Sequence, residues 1–365
     1  MKIDYVNLVK QYKLERRHLL KEIDKTLLSG DYVGGKEILN FENKIAKICN
    51  SKYAVAMNSG TDALTIALYL MGVKRGDEVI TPPNSFVAST AVIIHLGAKP
   101  VFVDVKNDQN INEDLIEKKI TNKTKAIMPV HLTGRMCNME KILSISKKYK
   151  IPVIEDCAQS IMSKFKNRPS GSWGDVGCYS AHPLKNLNAI GDSGYLVTNK
   201  KDIFLKAKSL INHGMDTRNN VSNFGFVSRM DNIQASILNF RLKNLKGIIE
   251  KRRNNFKLYS KLLNRKKVFF PVETKDQFNS YHTFIIQIRN RDKLKDYLKK
   301  NGVDTAIHYP IPIHLQKASK FLGYKKGSFP IAEKQSKQIL TLPINQYLKK
   351  KEIIYICKSI NEFYS

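Results

Sequence analysis

Three short segments hold residues whose types and spacing could do chemistry. Asn58-Ser59-Gly60-Thr61 links a strand-like run to the start of a helix-like one. Unpaired N–H groups and the positive end of a helix make such a turn an anion site, with Gly60 permitting close approach and Thr61 adding a hydroxyl. The same residues also read as a serine N-cap with a turn glycine. Val153-Ile154-Glu155-Asp156-Cys157-Ala158-Gln159 places Asp156 at the end of an apolar strand. A carboxylate there can stabilise a protonated ring nitrogen, or it can cap the next helix. Ser180-Ala181-His182-Pro183-Leu184-Lys185-Asn186-Leu187, followed by Gly191-Asp192-Ser193-Gly194, puts Lys185 in a tight, weakly charged turn between two apolar strands. A lysine held in a pocket loses its proton more readily and can form a Schiff base. A solvated loop lysine has the same local sequence.

Together the three segments specify more than any one alone. A phosphate cradle, a carboxylate for a ring nitrogen and an aldehyde-binding lysine, in this order, are what pyridoxal phosphate needs. Lys185 then carries the aldehyde, Asp156 keeps the pyridine nitrogen protonated, and Gly60, Thr61 and Ser180 hold the phosphate. Phe86, at the end of the TPPNSF segment, stacks on the ring in this reading; a core aromatic is the alternative.

Positioning such residues takes a sheet whose strand ends converge. The first two thirds of the chain alternate strand-like and helix-like stretches, which signals α/β with a mostly parallel sheet. Seven strands are expected, at Tyr53–Met57, Glu78–Thr81, Lys99–Asp104, Ala126–Val130, Val153–Glu155, Val176–Ser180 and Tyr195–Thr198. Helices are expected at Asp62–Leu70, Met139–Lys148 and Lys201–Ile211, and one long helix begins at Asp231 and runs through DNIQASILNFRLKNLKGIIEKRRNN. Beyond it lie a short strand (Thr283–Ile288), a charged helix (Asp292–Asn301), the Pro-rich HYPIPIH and an amphipathic helix (Lys350–Phe363). This pattern predicts a large α/β domain over residues 1–245 and a smaller α+β domain over 246–365. Ligands of open parallel sheets bind outside the carboxyl ends of the strands.

The chain has 365 residues, 62 Lys+Arg against 32 Asp+Glu and a net charge of +30. Lysine supplies 49 of those cations and arginine 13, in short dispersed runs such as Lys147-Lys148, Lys266-Lys267 and Lys349–Lys351. Lys, Asn and Ile are all abundant, as an AT-rich coding sequence would produce. Dispersed runs without interleaved aromatics argue against nucleic acid, and a positive field suits an anionic small molecule. Apolar and charged fractions of 42% and 26% exclude disorder and collagen-like repeats. Five scattered cysteines without a CxxC predict no metal site and a reducing compartment. With no apolar run of membrane-spanning length and no apolar leader core, no membrane partner and a cytoplasmic location are expected.

The sequence resembles the DegT/DnrJ/EryC1/StrS sugar aminotransferases, fold-type-I pyridoxal phosphate enzymes. The resemblance runs through FENKIAKICNSKYAVAMNSGTDALTIAL, GDEVITPPNSFVAST, GAKPVFVDV, KTKAIMPVHLTGRMCNM, VIEDCAQS, HPLKNLNAIGDSGYLVTN, SRMDNIQASIL and HYPIPIHLQKASKFLGYKKGSFPIAE. It implies that Lys185 is the cofactor lysine, that Asp156 partners the pyridine nitrogen, that Gln159 packs beside the ring and its phenolic oxygen, and that Gly60, Thr61 and Ser180 bind phosphate. It also implies a homodimer with shared sites, in which a segment around Phe226–Met230 reaches the neighbouring subunit's phosphate. Val227 stands where the family often has Asn and cannot donate a hydrogen bond, so Ser228 or Arg229 compensates or the contact is absent. His182 and Ser193 stand where the family commonly has an aromatic and a second glycine. His182 is then tuned to a substrate or is structural. Family dehydratases carry histidine in place of the lysine, so Lys185 favours transamination.

The implied reaction moves an amino group, typically from glutamate, onto the ketone of a sugar, with Lys185 shuttling protons. KN-L…GD-G and Tyr309-Pro310…Pro312-Ile313-His314-Leu315-Gln316 resemble enzymes of 3-keto nucleotide sugars, of the kind made for surface polysaccharides such as lipopolysaccharide O-antigen. HPLKNLN also resembles transaminases forming 8-amino-3,8-dideoxy-octulosonate. His308 and Tyr309 are candidate sugar contacts, or a structural turn before Pro310. His131 and Arg135 are candidates for the sugar or the partner subunit. A catalytically silent, regulatory relative is the further alternative.

Overall fold

The computed structural model describes residues 2–364. Seven strands, β1 (Tyr53–Met57), β2 (Glu78–Thr81), β3 (Lys99–Phe102), β4 (Thr124–Ile127), β5 (Ile154–Asp156), β6 (Val176–Ser180) and β7 (Gly194–Thr198), lie in the order β1-β7-β6-β5-β4-β2-β3. Parallel bridges Ile127–Val153 and Val130–Asp156 join β4 to β5. Within this sheet β7 runs against both its neighbours, β1 and β6, and the other pairings are parallel. The mostly parallel seven-stranded sheet is therefore as expected from sequence. Its strands bury both faces. Val55 and Met57 of β1 enter one apolar cluster, Ala54 and Ala56 the opposite one, the period-two alternation of a doubly covered strand.

Helices α1 (Leu8–Ser29), α2 (Lys36–Ile48), α3 (Gly60–Leu70), α4 (Ala88–His95), α5 (Met139–Tyr149) and α6 (Lys201–Leu210) precede α7 (Asn232–Leu242), against which α1 and α2 pack. The long helix expected from Asp231 onward is broken. Lys243 and Asn244 take tighter three-residue bonds to Phe240 and Arg241, and α8 (Leu245–Leu262) restarts after Asn244. Asn competes for its own backbone and is a poor helix interior. The apolar stripe continues across the break, which is why the pattern looked continuous.

α8 places Leu245 and Ile249 in a sheet-side cluster, and Phe256 and Tyr259 in another. This other cluster gathers antiparallel β8 (Phe284–Gln287) and β9 (Ile339–Leu342), α9 (Arg291–Lys300) and α11 (Lys350–Phe363), and it also takes in Ile3 from the opposite end of the chain. α10 (Pro330–Gln338) is capped from a distance. Asp104, just past β3, accepts the N–H groups of Ala332 and Ile331 at 2.9 and 3.0 Å. No helix among the described residues is long and apolar enough to cross a membrane.

Candidate active site

A cavity of about 300 Å³ opens at the carboxyl ends of β1, β5 and β6. Gly60, Thr61, Phe86, Asp156, Gln159, Ser180, His182, Lys185, His308 and Tyr309 all line it, so residues up to 249 positions apart meet there. Arg229 does not line its own chain's cavity. Its Nη1 donates to Asn212 Oδ1 at 3.0 Å.

One end is built for an anion. Ser59 caps α3, its Oγ accepting the Asp62 N–H at 3.0 Å, while Gly60 and Thr61 occupy the first turn, whose N–H groups have no helical acceptor. Gly60 is required by contact rather than by backbone angle. A Cβ there would sit 2.7 Å from Ser180 Cβ, so α3 and β6 close on each other only through a glycine.

At the cavity floor Asp156 is 4% exposed and accepts from Ser89 Oγ at 2.7 Å and from the Ala158 N–H at 3.1 Å. Burial raises its pKa, and those bonds, Lys185 and His131 oppose the rise. Burial also pushes the Lys185 amine down from 10.5 to about 8, with Asp156 pulling it upward. Gln159 is buried and its Oε1 accepts the Thr133 N–H at 2.7 Å, which leaves its amide N–H groups to donate into the cavity. The half-exposed Phe86 ring lies 5.9 Å from the Tyr309 ring. His308 Nδ1 meets Thr341 Oγ1 at 2.9 Å, and burial, then Lys185, pushes the imidazole down to about 4. His182 lies at the exposed rim, its Nδ1 accepting the Leu184 N–H at 3.3 Å.

Three sequence expectations change. His131 is fully buried and cannot touch a sugar. Its Nδ1 accepts the Cys137 N–H, so its Nε2–H donates to Glu155 at 2.9 Å. Arg135 is also buried, donating to the Pro271 and Val272 carbonyls and to Gln277. Ser228 is fully buried, and its hydroxyl donates to Asp62 at 2.6 Å within the same chain, so it cannot replace the missing asparagine on a partner. His131, Glu155 and Cys157 have donor atoms within 4.8 Å of one another. Glu155 is already saturated by His131 and the N–H groups of Gly171, Trp173 and Gly174. Tyr5, Ser89, Arg252, His282 and Asn345 line the cavity without having been singled out from sequence. Ser89 had a local signal, since it follows the TPPNSF segment at the start of α4. The others sit in stretches without a motif.

A buried carboxylate whose pKa burial raises, a lysine amine that burial lowers to about 8 and an open helix N-terminus are the donor set that pyridoxal phosphate requires. Each can be assigned one part of it: ring nitrogen, aldehyde and phosphate. The sequence profile of the DegT/DnrJ/EryC1/StrS aminotransferase family matches residues 13–361. The chain belongs to this family. It is a pyridoxal phosphate-dependent aminotransferase. It is 36% identical to a "pleiotropic regulatory protein" of Geobacillus stearothermophilus, covering 100% of this chain and 99% of that one. It is also 36% identical to dTDP-3-amino-3,6-dideoxy-alpha-D-galactopyranose transaminase of Aneurinibacillus thermoaerophilus, over 95% and 96% of the two chains. The crystal structure of S. venezuelae DesV in complex with a ketimine intermediate superposes with a TM-score of 0.96, at 32% identity and 99% and 98% coverage.

Proposed function

We propose that this aminotransferase moves an amino group from glutamate to the 3-keto carbon of a nucleotide-linked deoxysugar, in the cytoplasm, for a surface polysaccharide or another aminosugar product. The observation that carries the reading is the intact pair of Lys185 and Asp156 in one cavity. The near full-length likeness to a transaminase named for a dTDP-3-amino sugar supports the substrate class.

The bound cofactor supplies an electron sink. Asp156 would hold the proton on its ring nitrogen, and Ser89 and the Ala158 N–H keep that carboxylate in place. Gly60, Thr61 and Ser180 bind its phosphate. Lys185 Nζ, whose pKa burial lowers to about 8, would take a proton from the donor's α-carbon and return one to the sugar carbon. Gln159 donates to the cofactor's phenolic oxygen, and Phe86 covers the ring. His308 keeps Nε2 free for the sugar, since Nδ1 is engaged by Thr341. Tyr309 and the rim residue His182 border the same space.

The site is completed in a homodimer, with Arg229 directed at the neighbouring subunit's phosphate. Phe224 at 96% exposure and Val227 at 60% support an interface at that segment. The regulatory relative favours a second reading, a protein that binds cofactor without turnover. Mass spectrometry of products from 3-keto and 4-keto nucleotide sugars and from an 8-oxo octulosonate, each with glutamate, separates the readings. Turnover of a 3-keto substrate that Lys185→Ala abolishes is expected. Turnover of the octulosonate alone would replace the substrate, and no turnover by a yellow, folded protein would favour regulation.

A further inference from the structure

A second cavity, also of about 300 Å³, shares no lining residue with the reaction cavity. Its charged lining is of one sign: Arg265, Lys266, Lys267, Arg289 and Lys334, with no carboxylate in the wall. All five are exposed, and none forms an ion pair among the described residues. Lysines elsewhere on the surface do find acids, as Lys200 does with Asp175 at 2.6 Å and Lys208 with Glu42 at 2.7 Å. The acids adjoining this wall are engaged otherwise. Asp104 accepts the first N–H groups of α10, Asp292 pairs with Arg291 at 2.6 Å, and Glu333 accepts the Gly327 and Phe329 N–H groups. Repulsion among the five cations is thus not offset from within the wall, and a concave surface focuses their field.

The walls are fixed. Phe269 and Gln287 of β8 exchange backbone hydrogen bonds at 3.0 and 2.7 Å. Gln287 Nε2 donates to the Asn107 carbonyl and Gln335 Nε2 to the Lys106 carbonyl, both at 2.8 Å, which ties the cavity to the loop after β3. α10 turns one face to it, since Ile331, Lys334, Gln335 and Gln338 stand three and four residues apart. Arg265 is placed by an aromatic ring instead of a carboxylate. Its guanidinium carbon lies 3.9 Å from the centroid of the fully buried Phe270 ring.

The wall is not cationic throughout. Phe269, at 42% exposure, borders the space together with the side-chain amides of Asn107 and Gln338. Cations alone would suit inorganic phosphate. An exposed aromatic ring and amides beside them suit a planar heterocycle attached to that phosphate.

We infer that this cavity is a second ligand site, separate from the reaction cavity, for a nucleoside diphosphate. The cations take the phosphates, and Phe269 with the amides takes the base. The inference does not depend on which sugar is aminated.

Calorimetric titration of the cofactor-loaded enzyme with UDP, ADP and pyrophosphate tests it, with hydrogen exchange locating the bound nucleotide. At least one nucleotide should bind more tightly than pyrophosphate and slow amide exchange in residues 265–269, 287–289 and α10. The paired substitution Lys267→Gln and Lys334→Gln, both at exposed positions, should weaken that binding by roughly tenfold or more. Phe269→Ala should weaken the nucleotide and leave pyrophosphate unchanged. Transamination kcat and KM should stay as in wild type in both variants. The inference is overturned if neither nucleotide binds, if the paired variant binds as tightly as wild type, or if protection falls only on the Gly60 turn and the Lys185 loop. Pyrophosphate binding as tightly as both nucleotides would overturn the nucleoside assignment. Failure of the 3-keto sugar reading would leave these titrations intact, since they read binding without turnover.

Discussion

Gly60→Ala is the substitution whose effect can be worked furthest from the geometry. The new Cβ would lie 2.7 Å from Ser180 Cβ, 3.0 Å from Ser180 Cα and 3.2 Å from the Tyr179 carbonyl oxygen. No flexible side-chain end is among these atoms, so rotamer change gives no relief. Reaching ordinary contact at 3.4 Å requires α3 and β6 to part by ~0.7 Å. Overpacking of this kind costs about 1–3 kcal/mol of stability. The parting also widens the anion cradle, and displacements near 1 Å in a positioned site cost on the order of 10²-fold. The cofactor Kd, measured by absorbance as pyridoxal phosphate is titrated into cofactor-free protein, should rise by roughly 10- to 100-fold. Gly247→Ala is the control. It lies inside α8 with nothing within 4 Å, and should stabilise the protein by about 0.5–1 kcal/mol without touching affinity. A Gly60→Ala protein that binds cofactor as tightly as wild type would refute the assignment of this turn to the phosphate.

Four further outcomes follow from the packing. Asp156 holds the Lys185 amine up against burial, so Asp156→Asn should move the midpoint of amine labelling below about 8 in cofactor-free protein; an unchanged or higher midpoint counts against the pairing. Because that amine is depressed from 10.5 to about 8 in the folded state, the unfolded chain binds the extra proton between those values. The contribution of Lys185 to stability therefore rises with pH across that window, and urea melts of wild type minus Lys185→Met should show that slope. Glu155→Ala strands the His131 Nε2–H and three backbone N–H groups, at about 1–3 kcal/mol each; urea unfolding should show a loss of at least about 3 kcal/mol, and a loss under about 1 would refute it. Asp104→Ala removes the acceptor for two N–H groups of α10 and should cost about 1–2 kcal/mol in the same assay.

The individual strands, and the cavity-lining Asp156 and Lys185, were legible because each is marked within its own short segment. Asp156 stands where an apolar strand stops and Lys185 in the turn that follows another, and a strand end is visible from local pattern alone. The helix break at Lys243-Asn244 was not visible, since the apolar stripe runs straight across it and only backbone geometry changes. His131 looked like a site residue because histidine beside a strand end suggests chemistry; its partner Glu155, 24 positions later, turns it inward. Arg252 and His282 were invisible for the opposite reason. Arg252 stands in a charged run between Lys251 and Arg253, and what separates it is its burial without a counter-charge, a property of the folded surroundings.

The placement of Ile3 in the C-terminal apolar cluster has a consequence for how the chain is made. The Ile3 N–H donates to the Gly302 carbonyl at 2.8 Å, and the Asp304 N–H donates back to the Ile3 carbonyl at 3.0 Å. Two residues on, Tyr5 walls the cavity and accepts from Asn345 at 3.1 Å through its backbone. These partners are synthesised some 300 residues after the segment they hold. At roughly 5–20 residues per second the first strand of chain waits on the order of 15–60 s outside the ribosome, its apolar side chains uncovered. The central sheet can assemble during that interval, but the wall containing Tyr5 closes only once translation has passed Asn345. An unfinished polypeptide therefore holds Lys185 without the complete pocket around it.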